Sequence, residues 1–339
     1  MMDRVTASIA AAIVAVVVGA VSHPARADEV ALIFGTGQLP GTPVATEIYH
    51  PWVAAVNAAG KDIVQIDERD GRAVLNTTNF YDRVIDDVVQ IGFGSLSYVG
   101  GKFPIEAVTD LPIDATSKVA SVAFWRLYKS GALDSEFKDL VPLAFVKYPP
   151  TWIHLHKIQP RLESVQGLKI SPTSKQIANL LQLLGATPVS LTYQENYTAL
   201  EQGTIDGICF PIAGIYSENF GNTVAEHLEM NLGSGTSMVF MTKKRFDTLS
   251  PQARDVLEKN SGEALTAKWG ALFDRLTKES IDHFRVDPKH KFVKLPTTLE
   301  AKWSDGVKSL EAAYVAKVTG SDKVLAEFRE TVAQVKAEK

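Results

Sequence analysis

Glu195-Asn-Tyr-Thr-Ala-Leu-Glu-Gln-Gly203-Thr-Ile205-Asp-Gly207-Ile-Cys-Phe210 reads as a helix that stops and a strand that starts within one short stretch. Glu195 places a carboxylate where a helix begins, which favours the dipole. Tyr197 and Leu200 share a face, Gly203 ends the helix, and Ile205 to Phe210 is apolar enough to be a buried strand.

The same alternation runs outward in both directions. Towards the N-terminus, Pro188 to Leu191 reads as a strand, and Ile177, Leu180, Leu181 and Leu184 form a helical stripe closed by Gly185. Further strands are expected at Trp152 to Leu155, Val141 to Val146, Ile91 to Leu96, Asp62 to Asp67 and Val30 to Phe34. Helices carrying Val119, Val122, Trp125 and Tyr128, then Phe80, Val84 and Val88, then Trp52, Val53 and Val56 lie between them. Towards the C-terminus, Met238 to Met241 is a strand, and from Leu249 the chain is mostly helical with dispersed charge. Strands alternating with helices define an α/β fold. At 339 residues the chain exceeds the usual single-core size, so two lobes are expected, with the chain crossing between them more than once.

Residues 1–27 read as an export signal. They show an early positive charge, an apolar run from Ile9 to Val21, and Ala25-Arg26-Ala27 as a cleavage pattern, with Asp28 as the mature start. The run is short for a bilayer, which takes roughly 20 apolar residues, and no direct membrane insertion is expected of the remainder. Cys209 is the single cysteine, so a core rather than disulfides must hold the exported chain together. A net charge of −4, without a basic cluster, excludes nucleic acid as a partner. The location these features imply is a bacterial periplasm.

Three ordered blocks carry a family resemblance. They are Val88-Val-Gln-Ile-Gly-Phe-Gly94 with Gly101-Lys-Phe-Pro104 and Leu111-Pro112; Gln166-Gly-Leu-Lys-Ile170 with Leu184-Gly-Ala-Thr-Pro-Val189; and the Glu195–Gly207 stretch. Together they resemble the solute-binding subunits of tripartite ATP-independent periplasmic (TRAP) transporters. The resemblance implies a two-lobed periplasmic binding protein fold with crossing interdomain strands and a long C-terminal helical region. One lobe would comprise 28–150 plus roughly 240–285, the other 151–239 plus roughly 286–339. It also implies a receptor that needs no cofactor, closes over a small organic ligand, and delivers it to TRAP integral membrane subunits. A periplasmic sensor for a signalling receptor, or a receptor for a C4 dicarboxylate or sugar acid, is the alternative.

The departures from the family pattern fall at its polar anchors. Ser171 occupies the position where many relatives hold a ligand carboxylate with arginine. Phe210 stands where sialic-acid-type relatives have asparagine, and Trp152-Ile153 replaces a second arginine region. Candidate cleft walls are therefore Phe34, Phe93, Tyr98, Tyr148, Trp152, Tyr197 and Phe210, and such a pocket suits an aromatic or hydrophobic organic acid. Ser171, Thr173 and Ser174 at a helix start, with Gln38, Arg72 and His154, are the expected polar contacts. His154 and His156 share a strand face, yet lack a further ligand nearby in sequence, so no metal is expected there. Cys209 reads as a small buried hydrophobe rather than a nucleophile, and no enzymatic chemistry is expected. The Gly35–Gly41 loop lacks the lysine and spacing of a phosphate loop, and Trp269 and Trp303 read as packing anchors.

Overall fold

The computed structural model describes residues 29–71, 73–159 and 164–338. Eleven strands occur among them: β1 Val30–Gly35, β2 Val64–Arg69, β3 Ile91–Ser95, β4 Leu140–Lys147, β5 Thr151–Leu155, β6 Lys169–Ser171, β7 Thr187–Pro188, β8 Gly207–Pro211, β9 Glu226–Glu229, β10 Thr236–Thr242 and β11 Lys291–Lys294. The helices are α1 His50–Ala59, α2 Phe80–Ile85, α3 Ser117–Lys129, α4 Asp134–Phe137, α5 Lys175–Leu183, α6 Tyr193–Glu201, α7 Ile212–Ser217, α8 Lys243–Thr248, α9 Pro251–Lys259, α10 Glu263–Val286, α11 Thr297–Lys317 and α12 Ser321–Ala337.

The strands form two sheets. The first has the order β2-β1-β3-β10-β4 and the second β11-β9-β5-β8-β6-β7. In the first, β1 runs parallel to β2 and β3, while β10 runs antiparallel to β3 and β4. The chain therefore leaves the first sheet after β4 and returns to it only at β10, so each lobe is discontinuous in sequence. One core lies between the first sheet and α1, α9 and α10, around Phe34, Tyr49, Trp52 and Trp269. A second covers the opposite face of that sheet and continues onto one face of the second sheet. A third, with Leu200, Ile208, Ile215, Phe220 and Phe284, covers that sheet's other face under α6 and α7.

Most expected elements fall within a residue or two of their places, for physical reasons that were local. Thr192 and Glu195 form a reciprocal capping box at the start of α6. Gly185 and Gly203 adopt positive φ after α5 and α6. The strand expected over Pro188 to Leu191 is only the two-residue β7, and β9 and β11 carry no apolar run that would have announced them. The C-terminal segment expected in one lobe divides. α11 packs on α5, whereas α12 returns to α3, where Phe328 meets Phe124 edge-on at 6.1 Å.

The two connections between the sheets are bound to each other. Tyr148 N donates to Gly235 O and Thr151 N to Gly233 O, while Ser234 N donates to Asp110 O. At Gly233 φ is +99°, and a Cβ would come within 2.1 Å of Asp110 O, so only glycine fits. The third link is α10, whose 24 residues span about 36 Å. Its Trp269 belongs to the first lobe's core and its Phe284 to the second's. No helix among the described residues is long and apolar enough to cross a membrane.

Candidate functional site

Parallel strands release their loops at their C-terminal ends, and ligands of open α/β sheets collect there. In the first sheet those ends carry Thr36, Glu68, Ser95 and Tyr148; in the second they carry Ser171, Phe210 and Glu229. Both sets lie beside the Tyr148–Thr151 and Met230–Thr236 connections, so the two lobes present their loop ends to one crevice.

On the second lobe, Trp152 pairs with Phe210 across β5 and β8, and Ser171 pairs with Ile208 across β6 and β8. All four point to the same sheet face by the period of two. Trp152 and Phe210 are half-buried, the former stacked on His154 at 6.3 Å and the latter 6.2 Å from Phe220. Ser171 is 1 % exposed, and its Oγ has no hydrogen-bond partner. A buried hydroxyl left unpaired is costly, so this one is suited to a ligand atom. Thr173 is half-buried in the turn that follows, and Ser174 caps α5 by accepting from Ile177 N. That commits the Ser174 hydroxyl to the helix, leaving Ser171 as the available one.

On the first lobe, Tyr148 lies edge-on to Phe273 at 5.1 Å, and its phenol accepts from Ser237 Oγ at 2.9 Å. Burial pushes that phenol up to about 12. Tyr98 is 53 % exposed on the turn after β3. Gln38 is half-buried, with its backbone tied to Thr36 Oγ1 and Gly71 N. Two expected walls lie inside the protein. Phe34 is fully buried between Tyr49 and Trp52, and Phe93 is enclosed by Tyr49 and Trp269, so these strand rings belong to the lobe's core. Tyr197 is half-exposed on α6 with its ring 5.9 Å from Phe220. Arg72 and residues 1–27 lie outside the described residues.

His154 is fully buried. Its Nδ1 is 2.7 Å from His227 Nδ1 and its Nε2 is 2.9 Å from Phe210 O; His227 Nε2 continues to His290 Nδ1 at 2.9 Å. Burial holds the His154 imidazole down to about 4, so it is neutral and already engaged rather than free for a ligand. His156 faces Thr223 O instead. Cys209 pairs with Ile153, while His154 pairs with Ile208, so thiol and imidazole point to opposite faces of the sheet. The Cys209 thiol is buried and its pKa raised by that burial, which disfavours a thiolate.

Trp269 is the packing anchor the sequence indicates, and what the sequence reading missed is Phe273, one helical turn further along α10. Trp269 and Phe273 lie four residues apart and contact Tyr49 and Tyr148 respectively. Trp269 Nε1 and Thr277 Oγ1 are buried without partners, as is Asn196 Oδ1 on α6. The i, i+4, i+8 spacing of Trp269, Phe273 and Thr277 was a visible signal, masked by the charged residues around it.

This architecture is that of a two-lobed extracytoplasmic solute-binding protein. A family model described as bacterial extracellular solute-binding protein, family 7 (DctP), matches residues 34–318, and the chain belongs to that family. A TRAP solute-binding protein of an unidentified marine microbe, described as specific for aromatic acid ligands, superposes with a TM-score of 0.82. Its identity is 22 %, covering 91 % of this chain and 99 % of that one. A TRAP solute-binding protein from Rhodoferax ferrireducens, solved with copurified benzoate, has a TM-score of 0.79 at 25 % identity, with 91 % and 99 % covered. The C4-dicarboxylate-binding protein DctB of Bacillus subtilis is 26 % identical over 151 residues, 44 % of this chain and 41 % of that protein.

Proposed function

We propose that this protein captures a small aromatic or otherwise hydrophobic organic acid between its lobes and hands it to TRAP-type membrane subunits. Export by residues 1–27, with a mature start at Asp28, belongs to the same reading. The observation that carries it is the unpaired Ser171 hydroxyl on the same sheet face as the half-buried rings of Trp152 and Phe210. An apolar wall with one polar anchor selects a flat, mostly apolar ligand with one oxygen-rich end. The similar proteins with bound 3-hydroxybenzoate, benzoate and mandelate support this ligand class.

In this reading the ring of the ligand stacks among Trp152, Phe210 and Tyr148, and its carboxylate meets Ser171, Thr173 and the first N–H groups of α5. Arg72 and Gln38 would approach from the first lobe, with Tyr98 and Tyr197 at the rim. Phe34 and Phe93 would stiffen the first lobe's wall from behind. Contacts from both lobes exist together only when the crevice is closed, so ligand shifts the population towards closure. Moving a domain from mostly open to mostly closed takes roughly 5 kcal/mol of differential affinity. Flexing would concentrate at the two short connections and in α10.

A melting-temperature screen with benzoate, hydroxybenzoates, mandelate, succinate and glucuronate tests the proposal, because a ligand that binds only the folded state raises the transition by mass action. Large shifts confined to the aromatic acids are expected. A shift with succinate or glucuronate alone would overturn the ligand class and leave the family assignment intact.

A further inference from the structure

His50, Glu68 and Asp70 meet where α1 begins and β2 ends. His50 Nε2 is 3.2 Å from Asp70 Oδ2 and 3.6 Å from Glu68 Oε1, and one donor atom from each residue lies within 4.8 Å of the others. Both carboxyl side chains are only 14 % exposed. Glu68 Oε1 and Asp70 Oδ1 are buried and receive no hydrogen bond. Tyr49, one residue before His50, is fully buried, and its hydroxyl lies beside the Thr36 side chain and within electrostatic reach of both carboxylates. Arg69, which lies between them in sequence, pairs with Asp67 at 2.5 Å.

Two carboxylates this close, in a partly dehydrated place, repel each other. A half-exposed imidazole is a weak remedy, because the one ring nitrogen that faces the pair can satisfy only one oxygen. The local backbone is unusual too: the helix enters through a π turn, Ala45–Tyr49, before becoming α-helical at His50. Such wide turns occur frequently at functional sites.

We propose that His50, Glu68 and Asp70 bind one divalent transition-metal ion, Zn2+ fitting best, which fastens α1 to the edge strand β2. Tetrahedral bonds of about 2.0–2.1 Å place ligand atoms roughly 3.3 Å apart, and the two measured separations bracket that value. An imidazole nitrogen with two carboxylate oxygens suits zinc or manganese, whereas calcium and magnesium take all-oxygen sets. Three protein ligands leave a fourth position for water, with the Tyr49 hydroxyl beside it as a hydrogen-bonding partner for the carboxylates or that water. The metal's role is to hold together an edge strand and the helix that covers it.

Chelator-stripped protein titrated calorimetrically with ZnCl2, MnCl2, CaCl2 and MgCl2 tests the site. One equivalent of Zn2+ is expected to bind and raise the melting temperature, with Ca2+ and Mg2+ inert. His50→Ala and Glu68→Gln should each remove that binding, while His290→Ala should preserve it. Glu68→Gln is nearly isosteric, so it carries the test even where His50→Ala fails to fold. Binding that survives Glu68→Gln, binding lost in His290→Ala, preference for Ca2+, or saturation seen only in Arg72→Ala would each overturn the proposal. The last result would mean that the Arg72 guanidinium, rather than a metal, neutralises the carboxylates.

Discussion

Both lobes bury polar groups close to the crevice, but they do so with opposite chemistry. In the first lobe, the Lys147 ammonium is 1 % exposed and donates to Asp110 Oδ1, Thr109 Oγ1, Thr236 Oγ1 and Ser234 O. Glu106 joins through the Thr236 hydroxyl. In the second lobe, His154, His227 and His290 form a chain of imidazoles that burial keeps neutral. The ionic cluster joins β4, β10 and the turn at Glu106–Asp110, which border both connections between the lobes. A fixed charge pair tolerates little displacement, so the cluster holds these strand ends in one arrangement. The imidazole chain joins β5, β9 and the segment before β11, within one lobe, where neutral hydrogen bonds suffice. Buried polarity thus differs with what it must hold: charge sits at the connection, and neutrality sits inside a single sheet.

The strongest way to break this contrast is Lys147→Met. Removing the ammonium leaves two buried acids facing each other, and breaking a buried pair costs about 3–5 kcal/mol. Urea unfolding should show that loss; a change below about 1 kcal/mol would mean the cluster is not what holds the strand ends.

The imidazole chain predicts acid sensitivity. An ordinary histidine titrates near 6.5, whereas His154 is held down to about 4. The folded state therefore binds fewer protons below pH 6.5, and stability present above that value is lost as pH falls towards 4. The loss is on the order of 3 kcal/mol at pH 4 from this residue. Stability curves across that range should flatten in His154→Gln.

The first lobe answers in the other direction. Burial and the neighbouring Asp110 raise the Glu106 carboxyl well above its usual range, Lys147 opposing them in part. The folded state then holds a proton that the unfolded chain releases, so stability falls as pH rises above the ordinary glutamate value. Glu106→Gln should remove this alkaline slope in the same measurement, with a smaller effect than the lysine substitution. A slope unchanged by the substitution would assign it to another group.

The smallest expected effect is at Ser171→Ala. Deleting an unpaired buried hydroxyl should leave the melting temperature of the ligand-free protein unchanged or slightly raised. It should also weaken aromatic-acid binding by about 1 kcal/mol, the net worth of one hydrogen bond. Equal affinity for benzoate in both proteins would remove Ser171 from the site.

The lower-energy details of the site were the least visible in advance. Trp152 and Phe210 were singled out because they stand where the family resemblance places polar anchors, and the fold pairs them across β5 and β8. Phe34 and Phe93 lie on strands too, yet α1 and α10 cover their face, and nothing in β1 or β3 alone says which face a distant helix will cover. His154 was read as a ligand donor because its partners, His227 and His290, lie 73 and 63 residues along in successive steps. Gly207 lies in the expected strand, but only the structure shows that a Cβ there would come within 2.6 Å of His154 O.

By itself the sequence determined the α/β alternation, the helix caps and the family, because each depends on neighbours a few residues away or on an ordered motif. Only the tertiary structure decided that Phe34 and Phe93 lie in the core, that α12 packs back on α3, and that His50 meets Glu68 and Asp70. Those outcomes depend on long-range contacts between elements, where the face buried is set by what packs on it rather than by the residues that compose it.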